Sequence, residues 1–89
     1  MTKLETKDGK LFISGKEVLK GWESMTGWYW FATELEQENY GGHPLWFGFV
    51  QGFADEWGSF WEGELKPLIQ KGMVWEINAI DLPIAGRRA

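Results

Sequence analysis

The chain has 89 residues, 44 % hydrophobic and 17 % aromatic, which suits one domain with a small core. It contains no cysteine, so disulfides and thiolate metal sites are excluded, and its longest apolar stretches fall far short of the ~20 residues of a membrane span. The formal charge of −4 conceals a division: residues 21–65 hold eight carboxylates and no lysine or arginine, while residues 1–20 and 66–89 each sum to +2.

The N-terminus, MTKLETKDGK, has no apolar h-region, so a soluble, cytoplasmic protein is expected. Residues 10–14 (KLFIS) read as a strand between the turn signals Asp8-Gly9 and Gly15-Lys16. Residues 17–19 return as its partner, giving an N-terminal hairpin within residues 1–20. Residues 21–27 read as a loop. Residues 27–35 (GWYWFATEL) are a strand by their aromatic content. Residues 36–44 read as a turn region, broken by Asn39, Gly41, Gly42 and Pro44.

Residues 45–53 (LWFGFVQGF) and 57–61 (WGSFW) are the next strands, completing an aromatic sheet core over residues 27–61. Residues 62–71 carry helical spacing in Leu65, Leu68 and Ile69, with Gly72 placed as C-cap. Pro67 removes a backbone donor there and should kink or shorten the helix. Residues 73–80 are the last strand, and 82–89 read as a mobile tail. The sum is a single α+β domain spanning 1–89: an antiparallel sheet of about five strands with one short helix packed on one face.

Neither long strand alternates apolar with polar residues. Both faces of the sheet are therefore apolar, and one short helix covers only one of them. The N-terminal hairpin, a second subunit or a partner must cover the other. Gly48 and Gly52 weaken a strand interior unless a tryptophan ring from the neighbouring strand, Trp28 or Trp30, lies over them.

The core segments W-Y-W-F-A-T-E-L, W-F-G-F-V-Q-G-F and E-W-G-S-F-W-E-G-E-L form a pattern. It resembles a family of short uncharacterised bacterial proteins carried on plasmids and conjugative elements, whose core is W-x-x-T-E-L, F-G-x-x-x-G, then E-x-G-x-x-x-x-x-E-L. Thr33, Glu34, Leu35, Phe47, Gly48, Gly52, Glu56, Gly58, Glu64 and Leu65 occupy the matching positions, over about 40 of the 89 residues. The chain departs from that family in Trp61, where the family has a Ser-type helix start, and in its density of tryptophan. The resemblance implies a context, a mobile genetic element or phage, and carries no activity with it.

No enzyme signature is visible: there is no phosphate loop, and G-F-V-Q-G-F lacks the Lys-Ser/Thr ending. Asp55 with Glu56 and Glu62 with Glu64 are paired carboxylates, but a small sheet offers no deep cleft to tune them. A non-enzymatic protein without cofactor or metal is expected. His43, the only histidine, reads as a solvated loop residue. Glu34, Glu36 and Glu38 would line one side of a continued strand, yet their spacing matches no calcium loop and they read as a solvated strand end.

Tryptophan carries the functional expectation. Trp30, Trp46 and Trp75 are assigned to the core, but seven tryptophans exceed what such a core buries. Trp22 with Glu23, Trp57 with Asp55 and Glu56, and Trp61 with Glu62 and Glu64 pair rings with negative charge. That combination suits Lys or Arg on a partner. The expected function is a binding module docking on a basic host protein surface, in its sharpest form an anti-restriction or anti-CRISPR inhibitor that imitates nucleic acid. A glycan binder using exposed tryptophan is the alternative, and a homodimer burying the second apolar face is a third reading. Direct nucleic-acid binding is disfavoured, because the basic residues are split between the two termini; a face combining Lys3, Lys7, Lys10, Lys16 and Lys20 is the arrangement that would allow it.

Overall fold

Three two-residue reversals, each with positive φ at both positions, organise the strands: Asp8-Gly9, Ser14-Gly15 and Gly41-Gly42. Such pairs match the right-handed twist of the strands they join. The structure, a computed structural model, describes residues 3–86. The first two reversals link β1 (Leu4–Lys7), β2 (Lys10–Ile13) and β3 (Lys16–Glu17) into a three-stranded antiparallel sheet. The strand β1 lies ahead of the expected hairpin and extends it.

The second sheet has five antiparallel strands. In chain order they are β4 (Lys20–Ser24), β5 (Tyr29–Tyr40), β6 (His43–Gln51), β7 (Asp55–Trp61) and, after the helix α1 (Glu62–Gln70), β8 (Val74–Glu76). Their order across the sheet is β7-β6-β5-β4-β8. The fold is therefore α+β with a five-stranded sheet and one helix, as the sequence leads one to expect.

Several boundaries differ. The expected loop at 21–27 is largely the strand β4, paired with β5 on one side and β8 on the other. The expected turn region at 36–44 is strand on both sides of Gly41-Gly42, with Tyr40 facing His43. Polar residues there signal an exposed strand arm rather than a loop. The last strand shrinks from 73–80 to three residues. Of the expected tail, Leu82–Ile84 forms a 3-10 turn and Ala85 and Gly86 are buried, while residues 87–89 lie outside the described residues.

The helix accommodates Pro67 on its exposed side. It ends in a Schellman arrangement: Met73 N–H bonds the Leu68 carbonyl, and Gly72 N–H, at φ 74°, bonds that of Ile69. Among the described residues no helix is long and apolar enough to cross a membrane.

Both faces of the five-stranded sheet are covered from within the chain. On one, Leu65, Leu68 and Ile69 of α1 pack with Trp22, Ala32, Trp46, Phe60 and Val74. On the other, Leu11, Ile13 and Val18 from the N-terminal segment pack with Phe31, Phe49, Ile77 and Ala85. Helix, five-stranded sheet and three-stranded sheet thus form three layers. Gly52 runs beneath the Trp28 ring, where a Cβ would lie 2.5 Å from ring carbon. Gly48 has a different reason: the Phe31 carbonyl of β5 occupies the place a Cβ would take.

Candidate interaction surface

The period-two geometry of β7 divides its side chains. Asp55, Trp57 and Ser59 point away from the helix, while Glu56, Gly58 and Phe60 point toward it. On the first side, Trp57 stacks on Phe47 of β6 with centroids 6.1 Å apart and planes 15° apart. Lys16, from the second hairpin, sits over both rings at 5.7 and 5.8 Å. Lys16 marks the rim of the covering sheet, and the five-stranded sheet continues past it.

Beyond that rim, Glu34 faces Phe47 across β5 and β6, and Glu36 accepts a 2.6 Å hydrogen bond from the Ser59 hydroxyl. Register shifts between Ala32 and Glu34 and again between Leu35 and Gln37 bring these carboxylates here. Without those bulges, simple alternation would put Glu34 and Glu36 on the helix side of the sheet with Ala32. Trp61 closes the surface. Its indole N–H donates to the His43 carbonyl at 3.3 Å, and its ring meets Tyr40 and His43 edge-on at 6.1 Å. Trp61 also lies over Gly41 and against Gly63. His43, expected in a solvated loop, is half-buried at the start of β6.

The eight residues expected to bind a partner do not form one site. Trp57 and Trp61 belong to this surface; Asp55 shares their face of β7 but lies at the opposite end of the strand from Trp61, in register with Gln51. Glu56 is exposed on the helix side of β7, and Glu64 is exposed on α1. Glu23 is half-buried at the other end of the sheet and accepts a 3.0 Å hydrogen bond from the Tyr29 hydroxyl. Two expectations are overturned outright. Trp22 is 1 % exposed, wedged between Trp46 and Phe60, because its segment is a central strand rather than a loop. Glu62 is buried as well. Trp75, assigned to the core by the sequence, is instead 42 % exposed on the edge strand β8.

Glu62 is an internal anchor. Lys20 Nζ reaches its two oxygens at 3.2 and 3.4 Å, the Trp46 indole N–H donates to Oε1 at 2.9 Å, and Lys66 Nζ lies 3.7 Å from Oε2. Burial pushes its carboxyl up and is the largest single influence. The hydrogen bonds from Trp46 and Lys20 and the charges of Lys20 and Lys66 together outweigh it, so its pKa lies below the ordinary value.

The other seven carboxylates of residues 21–65 have no lysine or arginine within ion-pair distance among the described residues. Among the described residues the charge division seen in the sequence therefore persists after folding: Glu62 apart, the acidic centre has no ion pairs. No group of three potential metal ligands occurs among the described residues.

A second feature lies at the β4–β8 end, a cleft of about 350 Å³ lined by Glu23, Tyr29, Trp75, Asn78 and Asp81. It pairs one exposed indole with carboxylates and an amide. Comparisons of the chain with protein-family models, with curated proteins and with solved structures returned no match.

Proposed function

We propose that this protein is a non-catalytic binding module that docks the acidic, aromatic face along β7 and its neighbouring strands on a basic protein surface. The observation that carries this reading is the set Glu34, Glu36 and Asp55. These are three carboxylates without ion partners among the described residues: Glu34 and Glu36 lie by Phe47 and Ser59 toward the Trp61 end of β7, and Asp55 lies beyond Trp57 at its other end, on one face with the half-buried rings of Phe47, Trp57 and Trp61. Guanidinium and ammonium groups are attracted by both components, the carboxylate by charge and the ring by its quadrupole. Lys16 over Phe47 and Trp57 is an internal example of that chemistry.

In its sharpest form the partner is a host defence nuclease. Carboxylates stand in for phosphates and rings for bases in its nucleic-acid groove. The resemblance of the core motifs to proteins of plasmids and conjugative elements supplies the context for that form. The test is capture of a partner from host lysate at low and high salt, with the triple variant Glu34→Lys, Glu36→Lys, Asp55→Lys as control. A stoichiometric basic partner, lost at high salt and lost by the triple variant with an unchanged circular dichroism spectrum, is the expected result. Capture unaffected by the three reversals refutes the reading.

The cleft beside Trp75 favours a second reading, a small-ligand binder that stacks a sugar on the indole and bonds its hydroxyls through Glu23, Asn78 and Asp81. Trp75→Phe together with a tryptophan-fluorescence titration over a sugar panel tests it, and a flat response throughout removes it. Because the second apolar face is covered by the N-terminal sheet, the argument from that face for a homodimer no longer applies.

A further inference from the structure

The strand β7 ends the five-stranded sheet and pairs on one side only, with β6. Its pairing runs without a register shift through seven consecutive partners, from Leu45 opposite Trp61 to Gln51 opposite Asp55. Every second residue of such a strand turns its N–H and C=O outward. Among the described residues no backbone hydrogen bond from residues 55–61 reaches outside the strand pairing. The other edges are guarded. The opposite edge, β8, is only three residues long. In the small sheet β3 has two residues, and β1 carries Thr6, whose hydroxyl donates to the Pro83 carbonyl.

Natural edge strands are blunted by shortness, charged side chains (lysine above all), proline or a bulge. The strand β7 is seven residues long and has no lysine, proline or bulge, and its charges are confined to one end. What it carries is two exposed carboxylates, Asp55 and Glu56, at one end and open space at its centre, where a Cβ on Gly58 would meet nothing within 4 Å. That combination repels an acidic chain and leaves room for one with side chains at its middle.

We infer that β7 is a receptor edge: an extended, lysine- or arginine-bearing segment of the partner adds to the sheet as a sixth strand beside it. Main-chain hydrogen bonds supply the geometry, and pairing of the incoming cations with Asp55 and Glu56 supplies the selection. The inference rests on the docking reading above and names the form the partner takes. A second copy of this chain is the less suitable occupant. Self-pairing about Gly58 sets Glu56 opposite Phe60 and Asp55 opposite Trp61, leaving the carboxylates without counter-charge while two chains of −4 approach.

The probe is a nonapeptide of alternating Lys and Val, added to the full chain and followed by amide hydrogen exchange in NMR. The expected result is slowing of exchange at alternate residues of 55–61 by about tenfold or more, with no slowing by the same peptide carrying two adjacent N-methylated residues. The double variant Asp55→Lys, Glu56→Lys should weaken peptide binding by about tenfold. Binding of the peptide without alternate protection in β7 overturns the receptor edge and leaves the docking surface standing. Failure of the peptide to bind at millimolar concentration also overturns it, and the docking surface is then judged by the salt-dependent capture alone. Alternate protection that rises with protein concentration in the absence of peptide assigns the edge to a second copy and overturns the basic strand.

Discussion

Glu62 shows how one side chain can be read as surface chemistry and turn out to hold the interior. It lies at the first position of α1, where a negative charge suits the helix dipole. It also joins three elements, through Lys20 of β4, Trp46 of β6 and Lys66 one turn along the helix. Its folded-state pKa is depressed. The stability it contributes is therefore complete above the ordinary carboxylate range and is lost as pH falls through the folded value.

Urea midpoints measured from pH 7 down to pH 3 should fall for the parent chain and fall less for Glu62→Gln, which has no proton to take up. Lys20→Met leaves the buried carboxylate with Trp46 and Lys66 alone. It should cost about 2–3 kcal/mol at pH 7, a penalty that shrinks toward pH 3, below the ordinary carboxylate range, as the carboxyl protonates. An equal loss at both pH values would show that Lys20 acts through packing, not charge.

At the scale of elements, Gly48 of β6 and Gly58 of β7 face each other in register, yet their surroundings are opposite. A Cβ on Gly48 runs into the Phe31 carbonyl of β5, a backbone atom that cannot step aside without unpairing β5 from β6. Gly48→Ala should cost at least about 3 kcal/mol. Gly58→Ala meets open space and should change stability by less than about 1 kcal/mol, in the stabilising direction if anything, since glycine is a weak strand former. Chemical denaturation of the two variants side by side checks both.

These glycines also mark what the sequence conveys about elements. Asp8-Gly9 and Gly15-Lys16 announce β2 and its return in β3 but not β1, the aromatic runs announce β5 to β7, and Leu65, Leu68, Ile69 and Gly72 announce α1 and its end. Trp28 over Gly52 follows from the logic of glycine in a strand. The bulges near Thr33 and Glu36 do not, because they are set by cross-strand pairing, and with them goes the placement of Glu34 and Glu36. Trp22 misleads because Gly21, Ser24 and Gly27 carry the chemistry of a loop. Gly21 is buried in β4, with no room for a Cβ between Leu82, Phe31 and Ile77.

At the scale of the whole molecule, two apolar clusters share one sheet. Phe31 and Ala32 are adjacent in β5 and bury their side chains on opposite faces, one in each cluster. Tightly packed interiors transmit such a connection, because neither face can loosen without moving the strand between them. The three-stranded sheet has little stability of its own: four, four and two residues make a sheet that needs the larger one to cover Leu11 and Ile13.

Leu11→Ala, at a side chain with no exposure, should therefore cost about 2–5 kcal/mol and lower the stability of both layers together. In a urea titration followed by NMR, the signals of Ile13 in one cluster and of the Trp46 indole in the other should disappear at a common midpoint, in the parent chain and in the variant. Loss of Ile13 ahead of Trp46 would instead make the N-terminal sheet a separately unfolding cover. Lys16 would then leave Phe47 and Trp57 with it, and the aromatic part of the docking surface would widen as the cover opened.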